Sequence, residues 1–221
     1  MLLIDKTAGI TSHDVVDRVR KIFQTRRVGH AGTLDPFATG LLIVGVGAAT
    51  KELSKYVGLN KTYVATARLG ATSTTDDPEG KISATAYCLQ PTASDIEHTI
   101  AKFRGGHIQT TPLYSAKKVG GKKMYELART GLGDTVKRPT QRVTIYALRT
   151  THYRWPTLTF EVTCSSGTYI RALARDIGEA LGCGAYLTQL RRTRIGSFRI
   201  EDAKTIDSLG NSLTLDTKTC S

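Results

Sequence analysis

The period of hydrophobic and polar positions changes several times along the chain, and each change marks an element. Leu2 to Lys6 reads as a short strand. Thr11-Ser12-His13-Asp14 then supplies the side-chain oxygens that cap a helix start, and Val15, Val16, Val19, Ile22 and Phe23 follow at helical spacing. Asp14 and Asp17 stand early in this helix, with Arg18, Arg20 and Lys21 beyond them, the order that complements a helix dipole. The helix should end before Gly29. Leu41 to Val46 is a continuous apolar run between two glycines, as expected of a buried strand. From Thr62 to Leu69 the pattern alternates, with Tyr63, Ala65, Ala67 and Leu69 sharing one face.

Further on, Ser94 to Phe103 predicts a short helix with Ile96, Ile100 and Phe103 on one side, stopped by Gly105-Gly106. A second short helix is expected around Lys123 to Arg129. Val143 to Leu148 and Leu158 to Val162 read as strands. The clearest helix runs from Tyr169 to Leu181, where Ile170, Leu173, Ala174, Ile177 and Leu181 form one apolar stripe and Gly182 sits at the C-terminal cap. Ala185 to Leu190 predicts a final strand. Strands joined sometimes by turns and sometimes by helices favour an α+β fold with a mixed sheet over a doubly wound parallel one.

Composition narrows the partners. The chain has 221 residues, 40% hydrophobic and 23% charged, which suits one main globular domain. Lys and Arg number 31 against 19 acidic residues, a net charge of +12 that favours a polyanion. No apolar run approaches a membrane span and the first residues are charged too soon for a signal peptide, so a cytoplasmic nucleic-acid partner is expected. Cys88, Cys164, Cys183 and Cys220 are scattered, with no zinc-site spacing, and read as reduced thiols with no metal. The segment from Lys117 to Arg142 carries eight basic residues against two acidic ones. Charge runs are usually solvated faces, but this one, with Arg191, Arg192 and Arg194, suggests a surface that tracks phosphates.

Candidate chemistry concentrates in Gly29-His30-Ala31-Gly32-Thr33-Leu34-Asp35-Pro36-Phe37-Ala38-Thr39-Gly40, where the glycines permit close backbone approach. Pro36 biases Asp35 away from the α region, so the carboxylate is presented from an extended or turn conformation. Taken alone, such an Asp is most often a turn residue. Taken alone, Tyr63 reads as core, and Arg171 as an exposed helix residue.

The whole string, however, closely resembles the catalytic segment of TruB-type tRNA pseudouridine synthases and that of their guide-RNA-dependent relatives, dyskerin and its archaeal counterparts. The resemblance extends through Leu3-Ile4-Asp5-Lys6, Lys61-Thr62-Tyr63, Phe103-Arg104-Gly105, Tyr114-Ser115-Ala116-Lys117-Lys118, Tyr125 to Gly131, Cys164 to Arg171 and Leu190-Arg191-Arg192-Thr193. It implies a pseudouridine-synthase fold, with a mainly antiparallel mixed sheet flanked by helices and loops. The implied reaction turns uridine into pseudouridine at position 55 in the T-loop of tRNA, by base flipping and without a cofactor. Asp35 is implied as the nucleophile, attacking ribose or base, which the residues leave open. Arg171 is implied as its ion-pair partner, favouring the ionised form, and Tyr63 as the aromatic that stacks on the target base.

Implied substrate contacts are His30, Lys51, Asp77, Tyr169, Lys117, Lys118, Arg191 and Arg192. Where the family shows Thr-x-Thr-x-Asp with an acidic residue between the threonines, this chain has Ser73-Thr74-Thr75-Asp76-Asp77; Asp77 aligns with a base-flipping contact, and an ordinary polar loop is the alternative. The expected organisation is a catalytic domain over residues 1–199 and a short tail over 200–221, without the RNA-binding PUA domain of many relatives. A monomer acting on the T-arm of tRNA, with no obligate protein partner, is expected. A guide-RNA-dependent synthase and a catalytically silent RNA-binding module are the alternatives.

Overall fold

The computed structural model describes residues 1–115, 117–130 and 138–210. Cys220, Lys137 and the tail beyond Gly210 lie outside the described residues. The chain divides into two compact units, the first made of Met1–Val64 and the stretch from Leu190 onward, the second of Ala65–Gln189. A unit assembled from both ends of the chain leaves no composition break or linker to announce it, which is why the sequence reads as one domain.

In chain order the strands and helices are β1 (Leu2–Lys6), α1 (Ser12–Ile22), β2 (Val28–Ala31), β3 (Thr39–Val46), α2 (Ser54–Val57), β4 (Lys61–Leu69), β5 (Ala71–Ser73), β6 (Ile82–Ala84), α3 (Ala93–Ala101), β7 (Gly105–Thr110), β8 (Lys118–Val119), β9 (Lys122–Lys123), α4 (Met124–Arg129), β10 (Thr140–Arg154), β11 (Thr157–Cys164), α5 (Ile170–Ala180), β12 (Ala185–Ile195) and β13 (Phe198–Arg199). A 3-10 helix, Gly47–Glu52, follows β3. Among the described residues no helix is long and apolar enough to cross a membrane.

The first unit is built around β3. It pairs antiparallel with β1, setting Leu2 opposite Val44 and Lys6 opposite Gly40, and antiparallel with β2. The edge of β3 that pairs with β2 also pairs parallel with β12, Arg192 facing Gly40, so the sheet is mixed. Successive side chains of a strand point to opposite faces, and β3 buries both. Leu42 and Val44 pack with Ile4, Val15, Val16 and Val19, while Leu41 and Ile43 pack with Ala31 and Ile195. Two apolar faces account for the unbroken hydrophobic run. The helix covering one of them, α1, starts where its capping residues put it: Thr11 accepts from the Asp14 amide and Asp14 returns a bond to the Thr11 amide.

The second unit orders its strands β4-β11-β10-β7, with β10 antiparallel to both neighbours. Ile96, Ile100, Leu148, Phe160, Val162, Leu173 and Ile177 are buried in it. Two hairpins, β5 with β6 and β8 with β9, complete it. At Thr140–Arg154, β10 is far longer than the apolar core Val143–Leu148 that marks it in the sequence, because its two ends carry a half-exposed polar ladder. Likewise β12 runs past the predicted end at Leu190 to Ile195. An arginine, Arg192, occupies an inward position there and hides the alternation.

At the end of α5, Gly182 has φ +71°, as its capping position requires. Gly178 has a different reason to be glycine. A Cβ there would lie 2.3 Å from the Ala185 amide nitrogen at the start of β12. Helix propensity alone would have Gly178→Ala stabilise the protein by about 1 kcal/mol. The close packing predicts the reverse, a loss of roughly 2–3 kcal/mol, visible as a lower urea midpoint.

Candidate active site

Residues 32–38 form a turn whose backbone is held from several sides by side chains remote in sequence. The guanidinium of Arg192, 1% exposed, donates from Nη2 to the Gly32 carbonyl at 3.0 Å, from Nη1 to that of Thr33 at 3.3 Å and from Nε to that of Leu41 at 2.7 Å. One buried cation thus ties both ends of the loop. Ser12, at the start of α1, brackets Leu34: its hydroxyl accepts from the Leu34 amide at 2.9 Å and lies 3.2 Å from the Leu34 carbonyl. The Pro36 carbonyl accepts from the Gly9 amide at 2.9 Å and from Lys6 Nζ at 3.2 Å. Lys6 itself is fully buried and also donates to the Thr7 and Ile10 carbonyls.

Between these anchors the Asp35 carbonyl accepts from the Ala38 amide at 3.1 Å, which closes the turn. Every neighbour of Asp35 from Gly32 to Pro36 is therefore fixed through its own backbone. Two glycines make this possible. Gly32 has φ +86°, and a Cβ on Gly40 would sit 2.3 Å from the Arg192 carbonyl oxygen, so only glycine lets β3 and β12 approach there.

His30 lies on β2 in the same unit. Burial, then the Arg192 cation, then His13 hold its imidazole below the ordinary value. Its Nδ1, closed off from solvent, meets no hydrogen-bond partner among the described residues. Tyr63, 7% exposed, points inward from β4. Two residues earlier, buried Lys61 donates to the Val57 and Leu59 carbonyls and lies against Gly32. Lys51 is exposed on the 3-10 helix.

In the second unit Arg171, on the first turn of α5, is buried rather than exposed. Its guanidinium lies 3.3 Å from the Asp77 carboxylate and donates to the Thr75 carbonyl at 2.8 Å and the Tyr114 carbonyl at 3.0 Å. The adjacent Arg175 pairs with Asp76 at 3.0 Å. Burial raises the Asp76 carboxyl, against the pull of Arg175 and Arg171. The polar stretch Ser73–Asp77 is thus organised by two ion pairs, more than the ordinary loop its composition allows. Tyr169, at the cap of α5, is pinned through its backbone by buried Gln109, whose side chain both accepts from its amide at 2.9 Å and donates to its carbonyl at 3.0 Å.

The expected phosphate contacts separate into two kinds. Lys117 and Lys118 are exposed. Arg191 is half-exposed and forks onto the Asp5 carboxylate at 2.7 and 3.1 Å. Arg192 is not on the surface at all, because its donors face carbonyls inside the unit; its expected place on a phosphate-tracking face is corrected. Lys6, Ser12, Lys61 and Gln109 are not among the site residues expected from the sequence, although Lys6 shares the inward parity of Ile4 on β1, a signal of burial.

Among the described residues no group of His, Cys, Asp and Glu could hold a metal ion. The fold, with this loop presented at the edge of β3, is that of the pseudouridine synthases: the chain superposes on the structure of a Cbf5–Nop10–Gar1 complex with TM-score 0.78 at 29% identity, over 99% of this chain and 55% of that one. It superposes on an H/ACA RNP bound to a substrate RNA containing 2'-deoxyuridine with TM-score 0.75 at 26% identity, over 99% and 54%. The chain thus spans about half the length of those solved chains.

Residues 20–170 match the TruB family pseudouridylate synthase N-terminal domain, and residues 171–219 the tRNA pseudouridylate synthase B C-terminal domain. The tRNA pseudouridine synthase B of Mycobacteroides abscessus is 47% identical over 221 residues, 98% of this chain and 74% of that protein. That of Mycobacterium tuberculosis is 46% identical over 222 residues, with the same coverage. The chain belongs to the TruB family of pseudouridylate synthases, enzymes of the isomerase class.

Arg192→Met would leave the Gly32, Thr33 and Leu41 carbonyls without their charged donor. The expected cost is roughly 3 kcal/mol or more in urea unfolding. At the same time the His30 imidazole, followed by NMR, should titrate closer to its ordinary 6.5. In the native protein the lowered value means that protons favour the unfolded chain. The His30 contribution is therefore full above pH 6.5 and is lost as pH falls through the lowered value. Unchanged stability together with an unchanged His30 titration would show that Arg192 does not clamp the loop.

Proposed function

We propose that the chain isomerises uridine to pseudouridine at position 55 in the T-loop of tRNA, with Asp35 as nucleophile. The observation that carries the reading is the anchoring of residues 32–36, because a carboxylate that must meet a reacting carbon needs a fixed approach before the substrate arrives. Four anchors supply it: Arg192, Ser12, Lys6 and the Gly9 amide. Uridine and pseudouridine are isomers. The N1–C1′ bond breaks, the uracil turns, C5 joins C1′, C5 gives up its hydrogen and N1 gains one, so no cofactor is required.

The reading gives Tyr63 the role of stacking on the extruded base and Arg171 that of orienting the reacting carboxylate. It assigns His30, Lys51, Asp77, Tyr169, Lys117, Lys118 and Arg191 to substrate contact. Arg192 acts through the loop. Extrusion of the base costs a few kcal/mol, offset by stacking and phosphate contacts. The catalytic domain is taken as residues 1–199, working as a cytoplasmic monomer without an obligate protein partner. Identity of 47% to a tRNA enzyme against 29% to the Cbf5 complex favours tRNA as substrate over a guide-RNA-programmed target.

The test is to incubate the protein with an unmodified tRNA transcript, its isolated T-arm and an unstructured strand of the same sequence at matched salt, and to map pseudouridine. The salt must match because phosphate binding is salt-dependent. Modification at position 55 of the tRNA and of the T-arm, with little on the unstructured strand, is expected. Asp35→Asn should lower turnover by on the order of a thousandfold or more while tRNA affinity is kept, since phosphate contacts supply most of the binding. Binding without pseudouridine would favour the RNA-binding module instead, and substantial turnover by Asp35→Asn would remove the assigned nucleophile.

A further inference from the structure

Gln109 stands where the sheet calls for an apolar residue. It lies directly opposite Gln141 in the pairing of β7 with β10, and directly opposed side chains of an antiparallel pair share a face. That face of β10 continues through Val143 and Ile145, both buried. A primary amide placed there must find partners for its carbonyl and its N–H groups. Fully buried Gln109 finds them on a single residue: Oε1 accepts from the Tyr169 amide at 2.9 Å and Nε2 donates to the Tyr169 carbonyl at 3.0 Å. Opposed residues of an antiparallel strand pair exchange the same two bonds. One side chain thus does for Tyr169 what a neighbouring strand does elsewhere.

The segment leading to Tyr169 is tied to the same sheet. The Ser165 amide donates to the Thr144 carbonyl at 2.9 Å, and the Ser165 hydroxyl accepts from the Thr144 amide at 3.0 Å. Gln141 donates from Nε2 to the Gly167 carbonyl at 2.6 Å. Gln109 makes the last of these ties, and α5 begins immediately after it. Tyr169 is the N-cap of α5, extended at φ −90° and ψ 109°, and brings no side-chain cap of its own. Its carbonyl also accepts from the Leu173 amide at 3.1 Å, the first bond of the helix. The peptide groups on both sides of the Tyr169 Cα are therefore held by one planar amide. Two residues on, Arg171 reaches Asp77 and the Thr75 and Tyr114 carbonyls from the first turn of that helix.

We propose that Gln109 is a positioning residue for the uridine isomerisation, setting through one backbone unit both the Tyr169 ring and the Arg171 guanidinium. The inference rests on the functional reading above, in which Tyr169 meets the substrate and Arg171 orients the reacting carboxylate. Gln109 is fully buried against the Tyr169 backbone and does not itself meet RNA. Its loss therefore slows the bound complex and leaves affinity, which phosphate contacts supply, unchanged.

The test uses an isostere of the amide. In Gln109→Glu the protonated carboxyl still accepts from the Tyr169 amide and donates to the Tyr169 carbonyl, whereas the carboxylate faces that carbonyl oxygen with no proton between them. Burial raises the pKa of a carboxyl, which brings both forms into a workable pH series. Single-turnover pseudouridine formation at saturating tRNA is measured across that series for the native chain, Gln109→Glu and Gln109→Met. The RNA dissociation constant, the urea midpoint and backbone amide exchange are followed beside it. Gln109→Met should be about 10- to 100-fold slower than the native chain at every pH, with native affinity and with faster exchange at the Tyr169 amide while Ala174 and Ile177 stay protected. Gln109→Glu should approach the native rate at low pH and fall to the Gln109→Met level as pH rises, within the range where its urea midpoint shows it folded. Where Gln109→Met fails to fold, the two protonation states of Gln109→Glu decide. A native rate in Gln109→Met, a deficit in Gln109→Glu that does not change with pH, or a slowing matched by weaker RNA binding would overturn the proposal. Absence of pseudouridine with the native chain would remove the functional reading and this inference with it; an active native chain beside an equally active Gln109→Met removes this inference alone.

Discussion

One buried guanidinium sets the geometry on which the rest of the first unit depends. A charge taken out of water must meet partners that recover its lost hydration, and Arg192 meets backbone carbonyls at Gly32, Thr33 and Leu41. Those carbonyls belong to the two ends of the loop that carries Asp35. Desolvation of the arginine and the shape of the loop are therefore one constraint: the loop cannot relax without leaving a buried cation unpaired, and the cation cannot leave without orphaning the carbonyls. Gly40 allows the approach, since any Cβ there would meet the β12 backbone. Ser12 and Lys6 then fix Leu34 and Pro36 on either side of the aspartate.

The same logic explains why net charge is a poor map of this molecule's surface. Lys6, Lys61, Arg171 and Arg192 are all buried, and each donates to backbone carbonyls or to Asp77. They are part of the +12 but not of an RNA-facing patch. Exposed lysines such as Lys117 and Lys118 remain available to phosphates. Interior cations act as positioning devices here, and an Arg fork fits several carbonyls at once where a lysine ammonium is a point charge.

What could be read in the sequence follows from how local each signal is. The start of α1 and the stripe of α5 were legible because caps and 3.6-residue spacing are written within one element. The double burial of β3 was legible as an unbroken apolar run. Asp35 stood out only through the resemblance, since an aspartate before proline is otherwise a turn residue. The clamp was not legible. Arg192 sits 160 residues from Gly32, and an arginine at an inward strand position looks like a surface residue until the sheet brings it over the loop. The pairing of Arg171 with Asp77 and the discontinuous first unit were hidden for the same reason.

On the proposed function, Arg192 serves the reaction by holding the loop and not by touching RNA. The most direct test is the single-turnover rate of pseudouridine formation in Arg192→Lys at saturating tRNA, with the RNA dissociation constant and its salt slope measured beside it. If Arg192 holds the loop, the rate falls about 10- to 100-fold with affinity and salt slope unchanged. A normal rate at saturation with weakened binding and a salt slope reduced by about one is what a phosphate contact would give, and would contradict it.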